Sequence, residues 1–326
     1  DIEVITKKDE ADIAWGVKNR VDYFAISFVQ NAKDMRRARE LLGDYKGKLI
    51  AKIEKFDAVS NIDEIIEASD GIMVARGDLG IEVPYYDVPT IQKMLIKKSN
   101  AKGIPVITAT QMLLSMTQNE RATRAEISDV ANAVLDGTDI VMLSEESAVG
   151  ENPVNVVETM HNIISQTEKI FDHEKRYKFT YLDEFDVIQA TVTKLADDLS
   201  ADGILSLTSS GNSARKMSRY RPITPLYTFA HDKETLTGLT ALWGVEPITT
   251  VKEAQASKMI QRMLRSLEKR EILNKKGLYI CTVGYPVGIP GSTNTIKILT
   301  PSEIEFYLNF KENREKIKTE KKVNLA

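Results

Sequence analysis

The sequence has few of the residues that cross-link a protein or carry it into a membrane. Its 326 residues include one cysteine, Cys281, and a single thiol excludes an internal disulfide. No stretch approaches the roughly 20 apolar residues that a membrane-spanning helix needs. The sequence begins at Asp1 with neither an initiator methionine nor a signal-like apolar core. We therefore expect no targeting segment and interpret the sequence as a piece of a longer protein. These features predict a cytoplasmic protein in a reducing compartment.

An excess of charge is also absent. The 44 lysines and arginines nearly balance the 47 acids, which gives a formal net charge of -3. This balance gives no reason to expect a nucleic acid or a membrane surface as a partner. The histidines His161, His173 and His231 share no ligand-like spacing, so we do not predict a histidine metal centre.

The first half of the chain does contain one unit repeated five times. Short apolar runs are separated by stretches long enough for one helix and two turns, and they lie at residues 23–29, 49–53, 72–75, 106–109 and 140–143. This repetition predicts an α/β fold, a partial TIM (β/α)8 barrel with about five of the eight units. An open doubly wound sheet of five strands has the same periodicity and is the alternative.

Polar residues lie at the end of each of these apolar runs or directly after it. In chain order they are Ser27, Lys52 and Glu54, Arg76 and Asp78, Thr110 and Gln111, and Ser144 and Glu146. The active site of a (β/α)8 barrel lies at the face where the strands end, whereas a doubly wound sheet concentrates such residues beside one switch point. Their distribution over all five strand ends favours the barrel.

The pattern changes after residue 171 and predicts a second domain. We assign residues 1–171 to the partial barrel, 172–181 to a connection, 182–300 to a separate α/β domain and 301–326 to a charged tail. In the second domain, the segment Thr208 to Ser213 follows a predicted strand and opens a helix. Such a segment either binds an anion or only caps its helix.

The strand ends carry the residues that suggest chemistry. Glu54 and Asp78 offer hard oxygen ligands on successive strands. A site with only two ligands from the protein is typical of Mg²⁺, which takes its other ligands from water and substrate. The alternative is a buried ion-pair network of Lys52, Glu54, Arg76 and Asp78, and spacing alone does not choose between the two. Because side chains alternate along a strand, Lys52 and Glu54 are predicted to point to the same side. Lys52 then either neutralises Glu54 or faces an anionic oxygen that develops in the reaction.

Several segments together resemble the pyruvate kinase family. They are AKIE at 51–54, DGIMVARGDLG at 70–80, ATQML at 109–113, TRAE at 123–126 and SDVANA at 128–133. The resemblance extends through residues 209–222 and 286–294, so it covers nearly the whole chain except the charged tail. Departures include Glu145 where the family usually has glycine, and the absence of the family's first barrel strands and lid domain from this sequence.

The resemblance implies a reaction and the residues that perform it. The reaction is phosphoryl transfer from phosphoenolpyruvate to ADP, which gives pyruvate and ATP. The implied catalytic residues are Lys52, Thr110 and Arg76, and the implied ligands of Mg²⁺ or Mn²⁺ are Glu54 and Asp78. The implied substrate-binding residues are Lys52, Ala75, Gly77, Asp78, Thr110, Ser144 and Glu146. The family also implies K⁺, with ligands in the part absent from this sequence, and a homotetramer.

The resemblance also favours the anion site over the helix cap in the second domain. It implies an effector site for a phosphorylated metabolite, formed by Thr208, Ser209, Ser210, Gly211, Asn212, Ser213, Gly291, Ser292 and Thr293. The sequence does not identify that metabolite.

Two other functions stay open at this stage. One is a metal-dependent aldolase or lyase that acts on a pyruvate enolate, which would also place a Glu and an Asp on successive barrel strands. The other is a non-catalytic remnant that retains only assembly or effector binding. A partial barrel exposes strand edges and its interior, so we expect this chain alone to be inactive and poorly soluble.

Overall fold

The computed structural model describes residues 4–173, 178–253, 255–284 and 293–310. These residues form two compact units. The first comprises the described residues up to 173 together with Ala241–Trp243, and the second comprises the rest. No helix in the described ranges combines the length and the apolar character needed to cross a membrane.

The first unit is built on five parallel strands whose spatial order is the same as their chain order. The strands are β1 (Tyr23–Ile26), β2 (Lys48–Ile53), β3 (Gly71–Ala75), β4 (Val106–Ala109) and β5 (Ile140–Val141). In a doubly wound sheet the order reverses at a switch point, whereas in a (β/α)8 barrel each crossover advances to the next strand. The predicted partial barrel is therefore confirmed, and the doubly wound alternative is wrong for this unit.

Nine α-helices among the described residues accompany these strands. They are α1 (Lys7–Lys18), α2 (Ala32–Leu42), α3 (Phe56–Ser60), α4 (Ile62–Ala68), α5 (Arg76–Glu82), α6 (Val88–Lys102), α7 (Arg124–Asp136), α8 (Glu145–Ala148) and α9 (Pro153–Glu168). Asn61 separates α3 from α4, and its side-chain amide donates to the Gln30 carbonyl. Helix α7 begins with a capping box of Thr123 and Glu126 and ends at Gly137, which has the left-handed conformation that favours glycine.

The second unit is a sheet with a different topology. Its elements are α10 (Glu184–Asp198), β6 (Gly203–Thr208), α11 (Asn212–Arg219), β7 (Leu226–Ala230), α12 (Lys233–Thr237), β8 (Val245–Thr250), α13 (Ala256–Lys269), β9 (Tyr279–Gly284), β10 (Thr293–Leu299) and α14 (Pro301–Leu308). The strand order is β10-β9-β6-β7-β8, and only β10 is antiparallel to its neighbour. The order reverses between β6 and β9, so this sheet has a switch point beside the end of β6, where ligands bind in such folds.

The structure differs from the sequence interpretation at the boundary placed after residue 300. Helix α14 lies in the range predicted as a charged tail, yet Ile304 is fully buried and Leu308 is 8% exposed. Both side chains belong to the hydrophobic core of the second unit, and the carbonyl of Leu308 accepts hydrogen bonds from Gln261 and Arg265. The charge on which that prediction rested lies in residues 311–322, whereas α14 itself carries only Glu303 and Glu305. Ile304 and Leu308 are four residues apart and lie on one helix face. Residues 311–326 lie outside the described residues.

Candidate active site at the strand ends of the first unit

A buried ion pair closes β2. Glu54 follows the last residue of the strand and is 1% exposed, whereas the side chain of Lys52 is 25% exposed. The Lys52 Nζ lies 2.7 Å from Glu54 Oε1 and donates a 2.9 Å hydrogen bond to Ser27 Oγ at the end of β1. The prediction that Lys52 and Glu54 point to the same side is therefore confirmed.

The two oxygens of Glu54 differ in their surroundings. Oε2 accepts a 2.7 Å hydrogen bond from the backbone N–H of Phe28. Oε1 is buried and close to the Lys52 ammonium, but the alignment of that contact is not that of a hydrogen bond, and Oε1 accepts none from the described residues. A buried carboxylate oxygen with only an ion-pair contact retains capacity for a further cation.

Asp78 lies on the neighbouring element, in the first turn of α5 directly after β3. It is exposed, and within the described ranges its carboxylate makes no hydrogen bond or ion pair. The four-residue network considered from the sequence is not formed, because Lys52 pairs with Glu54 alone. No group of three or more His, Cys, Asp or Glu side chains among the described residues is arranged to hold a metal. A site made by Glu54 and Asp78 would therefore leave most coordination positions to other oxygens.

The Arg76 side chain is bound to other residues of the first unit. Its side chain is 12% exposed, and its Nη1 contacts both carboxylate oxygens of Asp129 on α7, at 2.8 and 2.7 Å. Its Nε donates to the carbonyl of Ala109 at 3.1 Å, and its Nη2 donates to the carbonyl of Thr110 at 2.6 Å. All three guanidinium nitrogens of Arg76 thus donate hydrogen bonds to oxygens of the protein. Arg76 thus links the end of β3 to the end of β4 and to α7. The catalytic role that the family resemblance implied for it stays a prediction.

Thr110 follows β4 in an unusual backbone conformation. Thr110 has a φ of 70° and Gln111 one of 54°, values in the left-handed region that a β-branched residue rarely adopts. The Thr110 hydroxyl accepts a 2.9 Å hydrogen bond from the N–H of Gly77 and donates a 2.6 Å bond to the carbonyl of Ala109. The structure therefore brings together Gly77 and Thr110, two residues that the family resemblance implied for substrate binding. The Thr110 hydroxyl is hydrogen-bonded to Gly77 and Ala109.

The last strand contributes Ser144 and Glu146. Glu146 is 1% exposed and lies in the first turn of α8. Its Oε2 accepts a 2.8 Å hydrogen bond from the N–H of Ser144, and its Oε1 accepts a 3.2 Å bond from the N–H of Leu113. Both carboxylate oxygens therefore bind the backbone of the loops that follow β4 and β5.

The sequence interpretation missed Asp129. This acid is 53 positions from Arg76 in the chain, so no local spacing relates the two residues. The signal that could have found it is its place in the segment SDVANA, which contributed to the family resemblance. In the structure, both oxygens of the Asp129 carboxylate accept from the Arg76 guanidinium.

The predicted effector segment lies at the switch point of the second unit. Helix α11 begins after Gly211, which has a φ of 84°, and no side chain among the described residues caps the helix. The Thr208 hydroxyl accepts the N–H of Gly211, while Ser213 and Thr293 share a 3.1 Å hydrogen bond between their hydroxyls. Ser209, Ser210 and Asn212 complete the described part, and Gly291 and Ser292 lie outside the described residues.

Two cations on α11 are not available to a ligand at this segment. Lys216 contacts Asp183 at 2.5 Å, and Arg219 forms a buried ion pair with Asp186. An anion there would depend on backbone N–H groups and hydroxyls rather than on these side chains.

Comparison with known proteins agrees with this geometry. A family model described as "Pyruvate kinase, barrel domain" matches residues 1–157, and one described as "Pyruvate kinase, alpha/beta domain" matches residues 186–299. The chain is 43% identical over 307 residues to a pyruvate kinase of Geobacillus stearothermophilus, covering 92% of this chain and 52% of that protein.

Other relatives give the same result. A pyruvate kinase of Lactobacillus delbrueckii subsp. bulgaricus is 42% identical, covering 90% of this chain and 51% of that protein. One of Clostridium acetobutylicum is 40% identical, covering 91% of this chain and 64% of that protein. The chain thus spans about half the length of the first two relatives and nearly two thirds of the third. The two matched domains and these similarities show that the chain belongs to the pyruvate kinase family.

Proposed function

We propose that this chain carries the metal-binding and phosphoenolpyruvate-binding residues of a pyruvate kinase, which transfers the phosphoryl group of phosphoenolpyruvate to ADP. The observation that supports this most strongly is the ion pair of Lys52 and Glu54 at the end of β2, in a chain of this family. A cation next to a buried acid at the mouth of a barrel suits a reaction in which anionic oxygens develop charge.

The residues present fit a divalent cation. The buried Glu54 Oε1 accepts no hydrogen bond from the described residues, and Asp78 is exposed on the next element. Carboxylates are preferred ligands of Mg²⁺ and Mn²⁺, and Mg²⁺ commonly takes one or two from the protein and fills its other positions with water and substrate oxygens. Bound there, the cation supplies charge to polarise the substrate oxygens. Glu54 and Asp78 are therefore the ligands that we propose.

The chain's own residues orient the substrate and stabilise charge. The Lys52 ammonium, held by Ser27 and Glu54, offsets negative charge on the transferring phosphoryl group and on the enolate oxygen. Gly77 and Thr110 receive the substrate carboxylate once the Thr110 hydroxyl turns from the carbonyl of Ala109. Catalysis of this kind depends on positioning and electrostatics and needs no covalent nucleophile.

The first prediction concerns the metal. In the intact protein, Asp78→Asn keeps the shape of the side chain but removes one negative ligand, so the dissociation constant for Mn²⁺ should rise at least about tenfold. Electron paramagnetic resonance titration of free Mn²⁺ measures this constant without an activity assay. Asp63→Asn is the control, because its carboxylate is 73% exposed and only pairs with Lys98. Equal Mn²⁺ binding by wild type and Asp78→Asn contradicts the ligand assignment.

The second prediction concerns Lys52. Lys52→Met in the intact protein should lower kcat for ADP-dependent pyruvate formation by about 10²- to 10³-fold and change KM for phosphoenolpyruvate little, because the charge acts in the transition state. The variant also leaves the buried Glu54 without its ion-pair partner, so circular dichroism must first establish that it is folded at the assay temperature. Lys97→Met, at an exposed position of α6, is the control.

The same assay discriminates between the candidate functions. A rise in KM with unchanged kcat makes Lys52 a binding residue only. If the wild-type intact protein cleaves a pyruvate adduct, or forms one, in the absence of ADP, the aldolase or lyase alternative replaces the kinase. If it forms no pyruvate and performs neither reaction, the catalytic proposal fails.

For the second unit we propose a regulatory site for a phosphorylated metabolite at residues 208–213. The support is the switch point beside β6, the left-handed Gly211 and a helix whose first N–H groups receive no side-chain cap from the described residues. Those N–H groups and the hydroxyls of Ser209, Ser210 and Ser213 suit a phosphate, which the helix dipole also favours.

The third prediction concerns metabolite binding at residues 208–213, which calorimetry can measure. Titration of the intact protein with fructose 1,6-bisphosphate, glucose 6-phosphate, ribose 5-phosphate and AMP should show binding of at least one of them. Ser210→Asp should weaken that binding by at least about tenfold, because it places a like charge at an exposed position of the cradle. Ser302→Asp, in the first turn of α14, is the control. If no metabolite binds, or if Ser210→Asp binds as wild type does, there is no effector site here.

A further inference from the structure

We infer that Glu146 is a positioning residue, which joins the loops after β4 and β5 and thereby orients Thr110 and Ser144. This inference rests on the proposed function for its kinetic consequence and on the hydrogen bonds of Glu146 for its structural basis. It gives Glu146 a different role from the substrate contact that the family resemblance implied.

The carboxylate of Glu146 is buried and is bonded to backbone groups. Its two oxygens accept the N–H groups of Leu113 and Ser144, at 3.2 and 2.8 Å. Among the described residues it forms no ion pair with a lysine, arginine or histidine. A buried carboxylate without a cation is stabilised only by the hydrogen bonds that it accepts. The backbone N–H groups of Leu113 and Ser144 therefore fix the position of the Glu146 carboxylate, and the carboxylate links the two loops that carry them.

The element that carries Glu146 is itself closely packed. A Cβ atom built on Gly150 would lie 2.1 Å from the Glu146 carbonyl oxygen, so only glycine fits after α8. The N–H of Gly150 donates to the carbonyl of Glu145 at 3.1 Å, and the N–H of Glu151 donates to the carbonyl of Thr117 at 3.1 Å. The backbone of Glu146 is thus fixed from its carboxyl-terminal side, and its side chain can transmit that position to Leu113.

Thr110 needs such support because its backbone conformation is unfavourable. Thr110 and Gln111 both have positive φ, and residues of these types persist in that region only where surrounding contacts impose it. Arg76 donates to the carbonyl of Thr110 on one side of this strained segment. Glu146 holds the N–H of Leu113 on the other side. The segment from Thr110 to Leu113 is therefore fixed at both ends by charged side chains.

The second loop held by Glu146 has an unusual conformation too. Ser144 has a ψ of -102° at a φ of -125°, which lies outside the helical and extended regions. Its N–H is the group bonded to Glu146 Oε2. Small displacements of groups that orient a substrate can lower a rate by about 100-fold. Glu146 can therefore control turnover without touching the substrate.

The fourth prediction concerns the two hydrogen bonds that Glu146 accepts from Leu113 and Ser144. Glu146→Gln retains one oxygen but places an amide NH₂ against a backbone N–H, so one of the two backbone bonds is lost. In the intact protein, amide hydrogen exchange of Leu113 or Ser144 should accelerate at least about tenfold in Glu146→Gln. Glu145→Gln, an exposed position of the same helix, should exchange at the wild-type rate at both amides. Wild-type exchange at both amides of Glu146→Gln overturns the inference.

Kinetics of the same variants separate positioning from direct contact. Glu146→Gln should lower kcat by about 10- to 100-fold while KM for phosphoenolpyruvate and the Mg²⁺ concentration for half-maximal activity change less than about threefold. An unchanged kcat overturns the positioning role, and so does a rise of more than tenfold in KM or in the Mg²⁺ requirement, which would indicate direct contact. If wild type and Glu145→Gln form no pyruvate, the proposed function fails, and the exchange result then decides the structural part alone.

Discussion

The carboxylate of Glu54 is the group on which the proposed site depends. It is almost fully buried at the end of β2, and a buried negative charge requires compensation. The Lys52 ammonium and the N–H of Phe28 provide part of it, and the hydrogen bond from Lys52 to Ser27 extends the arrangement to the end of β1. Because Oε1 accepts no hydrogen bond from the described residues, this compensation leaves room for a second cation.

The neighbouring strand ends are fixed by charged side chains that bind backbone groups. Arg76 donates to the carbonyls of Ala109 and Thr110 and is held by Asp129. Glu146 accepts amides from the loops after β4 and β5. A site that works by positioning and electrostatics benefits from such rigid supports, since a misplaced donor or charge loses most of its effect.

Much of the fold followed from local patterns. Strand 106–109 has the predicted bounds, because neighbouring residues alone decide where a short apolar run begins and ends. The pairing of Lys52 with Glu54 followed from the two-residue period of a strand. These features depend on contacts within a few positions of the chain.

Features decided by distant contacts could not be predicted in the same way. Periodicity left the order of the five strands open, and only their pairing excluded the doubly wound sheet. No local spacing predicted the contact of Arg76 with Asp129, which is 53 positions away. Helix α14 was included in the charged tail because of the residues that follow it, and the packing of Ile304 and Leu308 shows that it belongs to the core of the second unit.

The most direct test of the metal assignment is the position of a bound cation. Crystals of the intact protein grown with Mn²⁺ and a pyruvate analogue should give an anomalous difference peak at about 2.0–2.3 Å from one oxygen of Glu54 and one of Asp78, a distance typical of metal and carboxylate oxygen. A peak bound by other residues, with Glu54 still paired only to Lys52, would contradict the account.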